Sequence, residues 1–180
     1  MTLTPRDVLD FWFEAGPDRW FRKDDEFDAE IARRFAALVE AARAGKCDRW
    51  ADSAEGSLAL TVVLDQFPRN IHRGSPKAFA SDPKALATAK GAIARGFDME
   101  LPPGARQWLY MPFMHSEDMA DQETCIELCK RSGLEDTLPH AVEHADIIRR
   151  FGRFPHRNAV LGRRTTEAEQ GFLDGGGFAG

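Results

Sequence analysis

Apolar residues return at three- and four-residue intervals along most of this chain, and no stretch alternates apolar with polar at period two. That pattern suits helices and leaves a sheet no single face to bury. The helical stretches also carry their own start and stop signals. Thr4-Pro5 precedes Val8, Leu9, Phe11, Trp12 and Phe13, an N-cap and a proline at the first helical position. Asp24 or Asp25 can cap a second helix in which Phe27, Ile31, Phe35, Leu38 and Val39 share a face, ending near Gly45. Ser53 to Gln66 is apolar through Leu58, Leu60, Val62, Val63 and Leu64, a buried helix that Pro68 is expected to stop.

Further helices follow the same grammar. One starts at Ser81-Asp82-Pro83 and runs to Gly96, and another follows Pro102-Pro103 through Trp108 to Met111, where Pro112 should kink or stop it. Ser116-Glu117-Asp118 can begin a helix that ends before Gly133, and Asp136 or Thr137 one that reaches Phe151-Gly152. Thr165 or Thr166 with Glu169 forms a capping box for a last short helix. The expectation is one all-α domain over residues 1–180, ordered from 5 to 173, with a flexible Gly-rich tail from 174 to 180. About seven to nine helices would stack as antiparallel hairpins. The corners Phe67-Pro68 and Phe154-Pro155 are not separated by a multiple of the roughly 34-residue period of tetratricopeptide repeats, so no regular array is expected.

Charge narrows the partners. The net charge is −5 and the isoelectric point lies near 5.6, which argues against broad attraction to nucleic-acid backbones. No apolar run is long enough to cross a bilayer, and the start MTLTPRDVLDFWF lacks the features of a secretory signal. The three cysteines, without a CxxC pair, read as small apolar residues of a reducing compartment, and the expected location is the cytoplasm. The charge is uneven, however. Arg149 to Arg164 holds six arginines and no carboxylate, whereas Met114 to Glu123 holds four carboxylates and no Lys or Arg. Two such blocks in one small domain can neutralise each other or build an anion site.

Three corners carry the distinctive residues. DQFPRN, Asp65 to Asn70, returns as GRFPHRN, Gly152 to Asn158, with His156 inserted. Each can be read as architecture: proline ends a helix, phenylalanine anchors its last turn, arginine complements the freed carbonyls and asparagine closes the turn. That reading leaves His156 and the surplus arginines Arg150, Arg153 and Arg163 unexplained. In PFMHSED, Pro112 to Asp118, His115 stands beside Glu117 and Asp118, a combination suited to proton transfer, metal binding or a buried structural joint. His140 and His144 have metal-compatible spacing, but HAVEH puts Ala141 where a metalloprotease has its glutamate. No Gly-rich phosphate loop or nucleophile elbow is present, and no pattern asks for a cofactor or metal.

VLDFWF, LDQFPRN, PFMHSED and FGRFPHRNAVLGR, in this order, resemble the bacterial family known as domain of unknown function family 924, over Pro5 to about Leu173. The resemblance implies a tetratricopeptide-like helical fold and no particular activity. It also implies that Asp65, Gln66, Arg69, Asn70, His115, Glu117, Asp118, Arg153, His156, Arg157 and Asn158 occupy motif positions.

Three functions are compatible with these residues. The preferred one is a pocket for a small anionic or polar ligand, or an acidic peptide end, with arginines as bidentate donors and histidines orienting them. In it His156 and Arg157 would face the concavity reached by His115, and histidine titration would switch affinity between about pH 6 and 7.5. The second is an enzyme with His115 or His156 as acid/base and Glu117 or Asp65 orienting it. The third is a helical protein-interaction scaffold.

Overall fold

The computed structural model describes residues 3–178, and among them every regular element is helical. The helices are α1 (Pro5–Ala15), α2 (Pro17–Trp20), α3 (Asp25–Arg43), α4 (Ala54–Thr61), α5 (Phe67–Ile71), α6 (Asp82–Ala94), α7 (Phe97–Glu100), α8 (Pro103–Met114), α9 (Met119–Ser132), α10 (Leu138–Phe151) and α11 (Glu167–Asp174). None among the described residues is long and apolar enough to cross a membrane. Three of the caps expected from sequence bond their helix starts, whereas Ser81 before α6 and Thr137 before α10 make no side-chain cap bond. Thr4 and Asp7 form a capping box on α1, Asp24 accepts from the Glu26 and Phe27 N–H groups, and Thr166 with Glu169 caps α11.

The amphipathic face of α3 lies on the aromatic face of α1. Phe11 meets Phe27 at 5.5 Å and Phe35 at 4.9 Å between ring centroids, and Phe35 meets Phe67 of α5 at 4.7 Å. Helix α4 runs through the middle, packed against α1, α6 and α8. Its residues from Gly56 to Thr61 are buried on every side, as an apolar sequence without a polar face requires. At its approach, a 3-10 turn over Asp48–Asp52 passes so close that a Cβ on Gly56 would stand 2.0 Å from the Trp50 carbonyl oxygen.

Pro68 does not end this helix. Val62–Gln66 forms a π-helical segment in which the Phe67 N–H reaches back to the Val62 carbonyl, and the chain continues into α5 through Pro68. The wider turn takes up the extra residue that lets a proline pass without breaking the rod. It also carries Asp65 into the core. Pro112 does not stop its helix at once either, since α8 runs on to Met114. The FPHRN corner, expected to terminate a helix, is instead a separate 3-10 turn over Pro155–Arg157. The terminator of α10 is Gly152, left-handed at φ 69°.

Helices α8, α9 and α10 pack in sequence, and a smaller cluster forms at the end of α10 from Ile147, Ile148 and Phe154. Phe178, in the glycine-rich tail, belongs to it, with its ring 4.5 Å from His144 and 5.1 Å from His156.

Candidate functional site

Asp65 and His115 come from different corners and meet in the interior. Asp65 is fully buried on the π segment, and its two carboxylate oxygens lie 2.9 and 3.0 Å from His115 Nδ1. His115 is the C-cap of α8, and the buried Gln122 of α9 fixes that terminus by donating to the carbonyls of Met114 and Ser116 at 2.7 and 2.6 Å. Burial pulls the Asp65 carboxyl upward, but Arg69 and His115 outweigh it and hold it at about 2. An ionised Asp65 can only accept, so the hydrogen-bond network assigns the proton to Nδ1. His115 is itself pushed below the usual imidazole range, by burial and by Arg69, against the pull of Asp65. Its Nε2 has no partner among the described residues, and the side chain keeps 16% exposure.

Arginines from the two Phe-Pro corners flank this pair. Arg69 forms two bonds of 2.9 Å to Asp82 and approaches Asp65 at 3.2 Å, while also donating to the Asp65 carbonyl at 2.6 Å. Arg157 donates to the His115 carbonyl at 3.1 Å and stays 3.9 Å from Asp82. Its guanidinium lies over the rings of Phe79 and Phe154, 4.8 and 4.5 Å from their centroids. Arg157 is only 7% exposed, and its buried Nε has no partner among the described residues. Burial, and then Arg69, lower its pKa to about 10.

The remaining motif residues build a second network. Glu117 accepts from Arg163 at 2.7 and 3.0 Å and from the Phe154 N–H at 2.8 Å, so the acidic and basic blocks do meet. Burial raises the Glu117 carboxyl, but these donors win and hold it below its ordinary value. Arg163 also donates to Asn158, whose amide reaches Glu169 at 3.2 Å, and Arg153 holds Glu169 at 2.6 and 2.9 Å. Gln66 donates to Asp65 at 2.6 Å, whereas Asn70 donates to Asp28 and the exposed Asp118 caps α9. Asn70 and Asn158 thus tie segments together instead of closing their own turns.

His156 lies among aromatic rings with His144, Phe154 and Phe178, and its Nδ1 is buried without a partner among the described residues. Burial, followed by Arg157, pushes it down to about 3, and burial holds His144 at about 4. The expected affinity switch between pH 6 and 7.5 is therefore corrected for His156, which with His144 stays neutral through that range, while His115 is displaced in the same downward direction. His144 Nδ1 donates to the His140 carbonyl, and among the described residues no group of three or more His, Cys, Asp or Glu could hold a metal ion. Phe79, Asp82, Gln122 and Glu169 escaped the sequence reading because they lie outside the repeated corner lettering; only the cap-like position of Asp82 and the capping box of Glu169 marked them at all.

The fold and site define an all-helical protein with a buried carboxylate–histidine–arginine cluster where three sequence corners meet. The family model described as bacterial protein of unknown function (DUF924) matches residues 8–177, and the chain belongs to that family. A solved structure of a protein of unknown function from Agrobacterium tumefaciens is similar to it, with a TM-score of 0.92 and 46% identity over 95% of this chain and 97% of that one. No curated protein matches the chain.

Proposed function

We propose that the protein binds a small anionic or polar ligand, or an acidic peptide end, at Arg157 beside the Asp65–His115 pair. The observation that carries this reading is the unequal satisfaction of the arginines. Arg69, Arg153 and Arg163 each hold a carboxylate in two bonds, whereas Arg157, the most buried of them, has only a carbonyl and a carboxylate 3.9 Å away. The Phe79 and Phe154 rings pack against its guanidinium without using its N–H donors, and the donor edge of a guanidinium is what a carboxylate or phosphate recognises.

Two surface hollows of about 300 and 340 Å³ lie elsewhere, around Ser81 and Lys84 and around Gln107 and Thr137, and neither is lined by Asp65, His115 or Arg157. The internal pairing of the basic block, together with the net charge of −5, favours a small ligand over nucleic acid. Native mass spectrometry of freshly purified protein should reveal a bound small anion, and inorganic phosphate or citrate should raise the melting temperature by mass action. Arg157→Gln should abolish that rise. A wild-type protein that neither retains nor responds to any such anion would refute the reading.

A further inference from the structure

Anion binding at Arg157 makes no use of the His115 imidazole, yet the imidazole is held with more care than a structural joint requires. Asp65 takes Nδ1 with both oxygens and cannot rotate, because Gln66 and Arg69 hold the same carboxylate at 2.6 and 3.2 Å. Gln122 fixes the backbone from which the ring projects. His144 provides the contrast: its Nδ1 is spent on a backbone carbonyl and its ring is packed among aromatics. His115 directs a single nitrogen inward and keeps Nε2 unpartnered among the described residues on a side chain that reaches solvent. A neutral imidazole so oriented is a base with one free lone pair.

We infer that His115 is the proton acceptor of this site: its Nε2 takes a proton from a hydroxyl group or water held beside an anion on Arg157, making the chain an acid–base catalyst for small anionic substrates. The inference rests on the anion-binding reading. In the step, the O–H bond breaks with its electron pair left on oxygen, and the Nε2 lone pair forms the new N–H bond. Asp65 then faces the imidazolium through Nδ1–H, and Arg157, bonded to the His115 carbonyl, supplies the positive charge for the anion. The charged groups that act on the ring are Asp65 and Arg69 from the first corner and Arg157 from the last, and beyond them Asp82 of α6 and Glu117 after α8 are held by Arg69 and Arg163. One carboxylate therefore bonds the ring directly, and the other two are engaged by arginines.

The wild-type protein can test this without a known substrate. Imidazole nitrogen-15 spectra at pH 7 should show His115 neutral, with its proton on Nδ1. Carbethoxylation by diethyl pyrocarbonate, mapped by peptide mass spectrometry, should modify His115, and inorganic phosphate should slow that modification. Asp65→Asn should slow it roughly tenfold, the equivalent of about one unit of imidazole basicity. A proton on Nε2, or an inert His115 while exposed His140 reacts, would overturn the base role even if calorimetry shows phosphate binding. Reaction at His115 that phosphate does not slow would show that base and anion share no site, and absent calorimetric binding would then refute the anion reading itself. Because the spectra and the phosphate protection need no variant, they decide the matter if Asp65→Asn fails to fold.

Discussion

Arg157 stops 3.9 Å short of Asp82, the carboxylate that Arg69 holds with two bonds of 2.9 Å. The two corners are alike in lettering, but their arginines have different duties. Arg69 keeps two carboxylates together, Asp65 and Asp82, while Arg157 bonds one carbonyl, packs on two rings and has donors to spare. Arg69→Leu should leave Asp82 without its bidentate partner and Asp65 with only His115 and Gln66, and cost about 3–5 kcal/mol. Arg157→Leu should cost clearly less, since Asp82 keeps its main partner and the leucine can pack on the rings of Phe79 and Phe154. Urea denaturation of the two variants checks the order; equal losses would mean that Arg157 is a structural ion-pair partner after all.

The Glu117–Arg163 pair should behave as the clamp of the last corner. Glu117 takes the Phe154 N–H as well as both arms of Arg163, and Arg163 returns a bond to the Phe154 carbonyl. A double-mutant cycle with Glu117→Gln and Arg163→Gln should give a coupling of roughly 1–3 kcal/mol, as expected for residues in one network. A coupling indistinguishable from zero would reduce this pair to an ordinary surface contact.

The helices and their caps were legible in the sequence because they depend on neighbours a few residues apart. Thr4, Asp24 and Thr166 act where local chemistry put them. Pro68 departs from expectation for the opposite cause. A proline's effect depends on whether the turn before it is widened, as at Val62–Gln66, and that condition cannot be read from the proline. For the site, the corner lettering pointed to Asp65, Arg69, His115 and Arg157, but which carboxylate each arginine would take depends on α6 arriving with Asp82 and Phe79. His156 seemed the distinctive residue of its corner. Its ring went to the aromatic cluster because an imidazole can be buried neutral, whereas the neighbouring guanidinium keeps its charge.

Phe35 offers a test of the core. It is fully buried between Phe11 and Phe67, joining α1, α3 and α5. Phe35→Ala should cost about 3–5 kcal/mol through lost burial and the cavity left behind. Gly56→Ala probes the same region by overpacking, since the new methyl would meet a backbone oxygen at 2.0 Å and that backbone belongs to the turn bracing α4. A loss of about 3 kcal/mol or more is expected. Thermal or urea unfolding near wild-type values in either variant would show that this packing is wrong.

Acid should weaken the fold in two stages. His144 and His156 are held at about 4 and about 3 in the folded chain, against an ordinary value of 6.5. A histidine kept neutral by burial contributes stability that is whole above its unfolded value and is lost as pH falls toward the folded one, because the unfolded chain binds the proton first. The first loss therefore falls from pH 6.5 to about 4 for His144 and to about 3 for His156, on the order of 1–2 kcal/mol per histidine at pH 5. Asp65, held at about 2 against 3.8, adds a second loss as pH falls below 4 through 2. Urea denaturation at intervals from pH 8 to 4 should show a plateau above pH 7 and a decline beneath it. His156→Phe, which replaces the buried imidazole by an aromatic ring that cannot take a proton, should make the decline from pH 6.5 to 5 shallower while leaving the plateau in place. An unchanged slope in that variant would mean that His156 is not held neutral by the fold, and that the aromatic cluster around Phe154 and Phe178 is open to protons.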